Sequence, residues 1–119
     1  MSSDHLSSKQ HKFTDWDEAQ EYYFENGLTD GLPIIPPTEA KVRAMLEYAE
    51  LAADQVIGIE TVRRREFTAE KIAINAVMAG CKPEYFPVVV AAVEATCESP
   101  FNLHASTTST NGVTIMLIV

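Results

Sequence analysis

The stretch that most constrains this chain is "PVVVAAVEATCE", residues 87–98. It opens on a proline, whose missing amide is harmless in the first turn of a helix and disruptive further in. It then carries a single charge, Glu94, before Glu98. A helix starting at Pro87 is therefore apolar nearly all round, and such a helix belongs inside a fold. The expectation is a central, buried helix with the other elements packed around it.

Those other elements have their own start and stop signals. Thr14 offers a hydroxyl N-cap for "TDWDEAQEYYFENG", acids fill the first turn, and Gly27 ends it. Trp16, Ala19, Tyr23 and Phe24 fall at helical spacing and are expected to face the core. Thr38 caps a second helix with Val42, Met45, Leu46 and Ala49 on one face. In "DQVIGIETV" the β-branched Val56, Ile57, Ile59 and Val62 argue for a strand, with Gly58 marking a bulge or a close approach. Thr68 caps a third helix that Gly80 stops. Asn75 interrupts its apolar face and is expected as a buried amide in need of partners. "CKPEYFP" is a turn leading to the Pro87 helix. The uncharged "VTIMLIV", residues 113–119, is a strand candidate that needs pairing on both faces, either as a central strand of this fold or against a partner's surface, the second being preferred.

The fold class is thus α+β, with about four helices packed on a small sheet of two to three strands. Residues 1–12 read as a flexible polar tail in which His5 and His11 are solvated, and residues 13–119 as one domain. A hydrophobic fraction of 46% supports a packed core at this length of 119 residues. The net charge of −8 repels phosphate backbones and anionic lipid, which argues against nucleic-acid and membrane partners. The N-terminus has no apolar signal-peptide core, and no apolar run is long enough to span a bilayer. The two cysteines read as reduced thiols of a cytoplasmic protein.

The connection "GLTDGLPIIPPTEAKV" is unusual, being stiff and oily where loops are normally polar. Asp30-Gly31 is a turn pair, and Pro33, Pro36 and Pro37 hold Ile34 and Ile35 extended, so that both can pack on the helices. The stretch is expected to form a rigid pocket wall with Asp30 at its mouth.

Three constellations carry possible chemistry. His104 sits in a hydroxyl-rich loop with Asn102, Thr107, Thr108, Ser109 and Thr110. Histidine titrates nearest neutral pH, so His104 is the catalytic candidate, with Asn102, Ser109 and Thr110 as substrate-binding groups. The bland alternative is a turn whose hydroxyls bond their own backbone. Arg63 and Arg65 lie in "RRREF" just before a helix start, where they and the amides can meet a carboxylate or phosphate. The alternative is a solvated edge pairing with Glu60, Glu66 and Glu70. Cys81 precedes Lys82 and is a possible reactive thiol. As metal ligands, Cys81, Cys97 and His104 match no zinc spacing, so neither a metal nor a cofactor is expected.

Three blocks add a family-level reading: "DGLPIIPPTEAKVRAML", "EKIAINAVMAGCKPEYFPVVVAAVEA" and "FNLHASTT" with the closing "LIV". Their order resembles the N-terminal part of the bacterial UGSC-type (seleno)protein family, over roughly residues 14–119. Members are named for a U-G-S-C motif that falls later in the chain; this sequence contains no such motif. Asn102, Leu103 and His104 match the family's N-L-H, Ala105 replaces its glycine, and Ser109 and Thr110 fall on its threonine pair. The resemblance implies the first part of a larger catalytic unit, and the family's name implies thiol or selenol chemistry. A small molecule would bind at a site completed by another segment, by a partner chain or in a homo-oligomer. A non-catalytic module that assembles through its apolar end is the alternative.

Overall fold

Each of the first three helices begins where a short polar side chain turns back onto its amides. The computed structural model describes residues 5–98 and 116–119. Helix α1 (Trp16–Glu25) is capped by Asp15, which accepts from the Glu18 amide. Thr14, the expected cap, stands one residue earlier. It donates its amide and hydroxyl to the Glu18 carboxylate, at 2.8 and 2.6 Å, and these bonds pull the Glu18 pKa below the usual carboxylate value. Thr38 and Thr68 cap α2 (Glu39–Tyr48) and α3 (Ala69–Met78) as expected. Pro87 lies in the first turn of α4 (Phe86–Thr96), after a single 3₁₀ turn at Pro83–Tyr85. Gly80, at φ +86°, takes the left-handed position that ends α3.

Strands β1 (Val56–Glu60) and β2 (Arg65–Thr68) pair as an antiparallel hairpin. With four helices and this two-stranded sheet among the described residues, the fold is α+β. Val56 faces Thr68 but Gly58 faces Phe67, so Ile57 is an extra residue in β1, a bulge where Gly58 suggested one. A Cβ on Gly58 would lie 2.6 Å from Cys97 Sγ. The glycine therefore marks a close approach as well as a bulge, because α4 ends directly against β1. Met116, Leu117, Ile118 and Val119, expected in a strand, lie in no strand and are exposed; residues 113–115 fall outside the described residues.

The buried centre corrects the expectation set by residues 87–98. It is α3, not α4, that sits in the middle: Ala69, Glu70, Ile72, Ala73, Ala76 and Val77 are all buried, and both α2 and α4 pack on this helix. In α4 only Phe86 and Val90 are buried, while Val88 is 44% exposed. The physical reason is the number of neighbours. Among the described elements α4 has α3, β1 and the 3₁₀ turn to lean on, which cover one side of an all-apolar cylinder. The stripe of α1 is corrected too. Ala19 is buried, Trp16 and Tyr23 are half-buried, Phe24 is exposed, and none of them joins the central cluster. Asn75 is exposed and donates to the Lys71 carbonyl at 2.8 Å, so it never needed a buried partner.

The Gly58 contact is testable. Gly58→Ala is expected to lower stability by about 1–3 kcal/mol, because the added carbon overpacks the α4 terminus. Adding Cys97→Ala removes the sulfur that clashes. Denaturant titration of the double variant should therefore show a smaller loss than the sum of the two single changes.

Candidate functional site

Two adjoining clefts lie where the N-terminal stretch, α1 and the proline loop meet. The larger, about 280 Å³, is lined by His11, Phe13, Asp15, Trp16, Ala19, Tyr23, Pro36, Pro37 and Thr38. The smaller, about 140 Å³, is shared by Leu6, Ser8, Lys9, Gln10, His11, Tyr23, Pro37, Glu39, Val42, Glu70 and Ile74. His11, Tyr23 and Pro37 belong to both and stand between them.

The proline loop owes its position to backbone hydrogen bonds. Gln20 on α1 clamps it from both ends of its amide: Nε2 donates to the Leu32 carbonyl at 3.2 Å and Oε1 accepts from the Ile34 amide at 3.3 Å. The Ile35 amide donates to the Met78 carbonyl at 3.1 Å, satisfying one of the carbonyls left open at the end of α3. Ile34 is only half-buried, Ile35 is exposed, and neither joins the core cluster. The expectation that both isoleucines pack on the helices is thus corrected. What the loop does supply is the expected rigid wall, made by Pro36 and Pro37.

Aromatic side chains make the opposite wall. The rings of His11 and Tyr22 are 4.9 Å apart, Phe13 and Tyr22 5.3 Å, and Phe13 and Tyr23 6.3 Å. His11, expected in solvent, is half-buried among them. Burial, with a smaller contribution from Tyr22, raises the Tyr23 pKa, so its hydroxyl stays a donor at neutral pH.

The smaller cleft contains the one buried charge among the described residues, Glu70, which is 3% exposed. Its carboxylate accepts from the Ser7 amide (3.1 Å), the Ser7 hydroxyl (2.9 Å) and the Ser8 amide (2.9 Å). Burial opposes its charge, and these bonds outweigh burial, so the pKa lies below its ordinary value. The Ser8 hydroxyl oxygen is enclosed and outside hydrogen-bonding geometry, and its polar interaction with the carboxylate also lowers the pKa. Glu70 thus fixes residues 7 and 8 of the stretch that reads as a polar tail, and Leu6 packs on the core beside them. Sequence reading missed this group, because a first-turn acid is ordinary at a helix start and nothing local to it points to Ser7.

The residues singled out from sequence do not converge on these clefts. Asp30 lines neither; its Oδ1 accepts from the Leu32 amide at 3.0 Å, so it shapes a turn and is not at the cleft mouth. Arg63 lies in the hairpin turn and Arg65 opens β2, both exposed, so they do not share a strand face. Glu60 accepts from the Val62 and Arg63 amides, and Glu70 is held by Ser7 and Ser8. Cys81 is half-buried against the core. Burial raises the Cys97 pKa, against a hydrogen bond with Thr96 and with smaller contributions from Glu60 and Glu98, so that thiol stays protonated at neutral pH. Asn102, His104, Thr107, Thr108, Ser109 and Thr110 lie outside the described residues. No described helix is long and apolar enough to cross a membrane. Comparison with family models, curated proteins and solved structures gives no match.

The Glu70 bonds carry a signed pH dependence. A carboxylate whose folded pKa is depressed contributes stability above its unfolded pKa, near 4.5, and loses it as pH falls through the lower folded value. Wild type should therefore lose more stability than Glu70→Gln between pH 5 and 3. At pH 7 the substitution should cost about 1–3 kcal/mol through the part-buried Ser7 and Ser8 amides it leaves poorly satisfied. Denaturant midpoints at the two pH values check both expectations.

Proposed function

We propose that this chain binds a small molecule in the cleft between Pro36–Pro37 and the rings of Phe13, Trp16 and Tyr23, as one part of a site that another segment or chain completes. The observation that carries this reading is the pairing of two stiff walls. Prolines and packed rings lose little freedom when a ligand enters, so little affinity is lost to ordering. The cleft, at about 280 Å³, sits just below the roughly 300–1,000 Å³ of ordinary ligand pockets, in keeping with a site that is only partly built here. The resemblance of three blocks to the N-terminal part of UGSC-type proteins supports the same division of labour. In that arrangement His104, with Asn102, Ser109 and Thr110, supplies acid–base and hydrogen-bonding groups to the completed site. Whether its chemistry involves a thiol or selenol depends on the completing segment.

A second reading, an assembly module, draws on a different observation. Val88 on α4, Ile59 on β1 and all of Met116, Leu117, Ile118 and Val119 expose apolar surface. Light scattering across a concentration series tests this second reading, since assembly demands a mass that grows with concentration whether or not ligand is present.

Trp16 is the only tryptophan and lines the cleft, so its fluorescence reports occupancy directly. Titration with a panel of small aromatic carboxylates and thiols should give at least one saturable response. Tyr23→Ala should weaken that response about three- to tenfold, the worth of one packed ring. A panel with no saturable response, or a response indifferent to Tyr23→Ala, contradicts the cleft as the binding site.

A further inference from the structure

We propose that residues 6–13 form a detachable strap that gates this cleft, with the Glu70 carboxylate as its latch; the gating rests on the cleft reading above. The strap meets the body of the fold in three main places, besides a long contact from Gln10 to Glu39. Leu6 packs on the core cluster. Ser7 and Ser8 place three donors on one carboxylate, from 62 and 63 residues away in sequence. The His11 and Phe13 rings pack at tilted angles on Tyr22 of α1, and Phe13 also on Tyr23.

The latch is local and polar. A single side chain holds the two amides and one hydroxyl, so the loss of that charge weakens all three bonds at once. The remaining attachments, one leucine and a few ring contacts on the surface, are of a size that local opening overcomes without unfolding the domain. The α2–α3 packing does not depend on the strap: Val42, Met45, Leu46, Ala73, Ala76 and Val77 bury one another within the helices.

Release would change the cleft, because the strap is part of its wall. His11 lines both the 140 Å³ and the 280 Å³ spaces and separates them, and Phe13 lines the larger one. With the strap away, the two spaces join into one groove running from Trp16 to Ile74, and Tyr23 and Pro37 become its floor. Lys9 and His11 on the strap, Tyr23 on α1 and Glu39 on α2 are the other titratable groups lining the smaller space with Glu70. Glu39 is itself paired with Arg43 at 2.8 Å. Between the Glu70 latch and the ring contacts, Gln10 donates to this same Glu39 at 3.5 Å.

The test uses the full chain at neutral pH and two variants, Glu70→Gln and Ser7→Pro. The second removes the Ser7 amide and hydroxyl donors without touching α3, and so covers the case in which Glu70→Gln fails to fold. Amide hydrogen exchange at Ser8 should quicken at least about tenfold in each folded variant, while the amides of α3 stay as protected as in wild type. Acrylamide quenching of Trp16 should rise about twofold, because the wall beside it has left. Unchanged exchange at Ser8 overturns the latch. Faster exchange with unchanged Trp16 quenching overturns the gate. Exchange that quickens equally in α3 overturns the strap as a separable element. None of these readouts needs a ligand, so a failed ligand titration would remove the binding reading and leave the strap to stand or fall alone.

Discussion

The fold depends on how closely its neighbours can approach α3. Ala69, Ala73 and Ala76 recur along this helix at spacings of four and three, and all are buried. Small side chains on one helical face let α2 and α4 pack near the α3 axis, and Phe86 fills the space beyond them with no exposed surface. Glu70, in the first turn of the same helix, is buried as well, with Ser7 and Ser8 on its carboxylate. A buried carboxylate has to be supplied with donors. The serines at positions 7 and 8 supply them, so the packing of the core also decides where the N-terminal stretch lies.

Much of this fold is legible in the sequence, and the legible parts share a physical cause. Caps and stops act over three or four residues, so Thr38, Thr68, Gly27, Gly80 and Pro87 declare their roles locally. Gly58 declared a bulge or a close approach for a similar reason, and both are present. What was hidden depends on neighbours distant in sequence. The composition of α4 says that it should be buried, but how far it is covered depends on what is available to cover it. The stripe on α1 was legible as apolar, yet its aromatics build a cleft wall beside the proline loop instead of joining the core. The proline loop was legible as rigid, while the hydrogen bonds from Gln20 that aim it were not.

The candidate site was legible only in outline. A wall of prolines and a set of rings can each be seen in the sequence, but only the fold brings Pro36 and Pro37 opposite Phe13, Trp16 and Tyr23. Glu70 was the hardest to foresee, since its partners lie in a stretch whose composition reads as tail. The loop around His104 lies outside the described residues.

The central claim is that residues 6–13 lie against the helices and close one side of a cleft built by α1 and the proline loop. Nuclear Overhauser contacts test it most directly. Cross-peaks between the His11 and Tyr22 rings, and between the Leu6 methyl groups and the buried cluster around Val42, are expected at neutral pH. Random-coil shifts for residues 6–13, with neither set of contacts in an otherwise folded chain, contradict the claim.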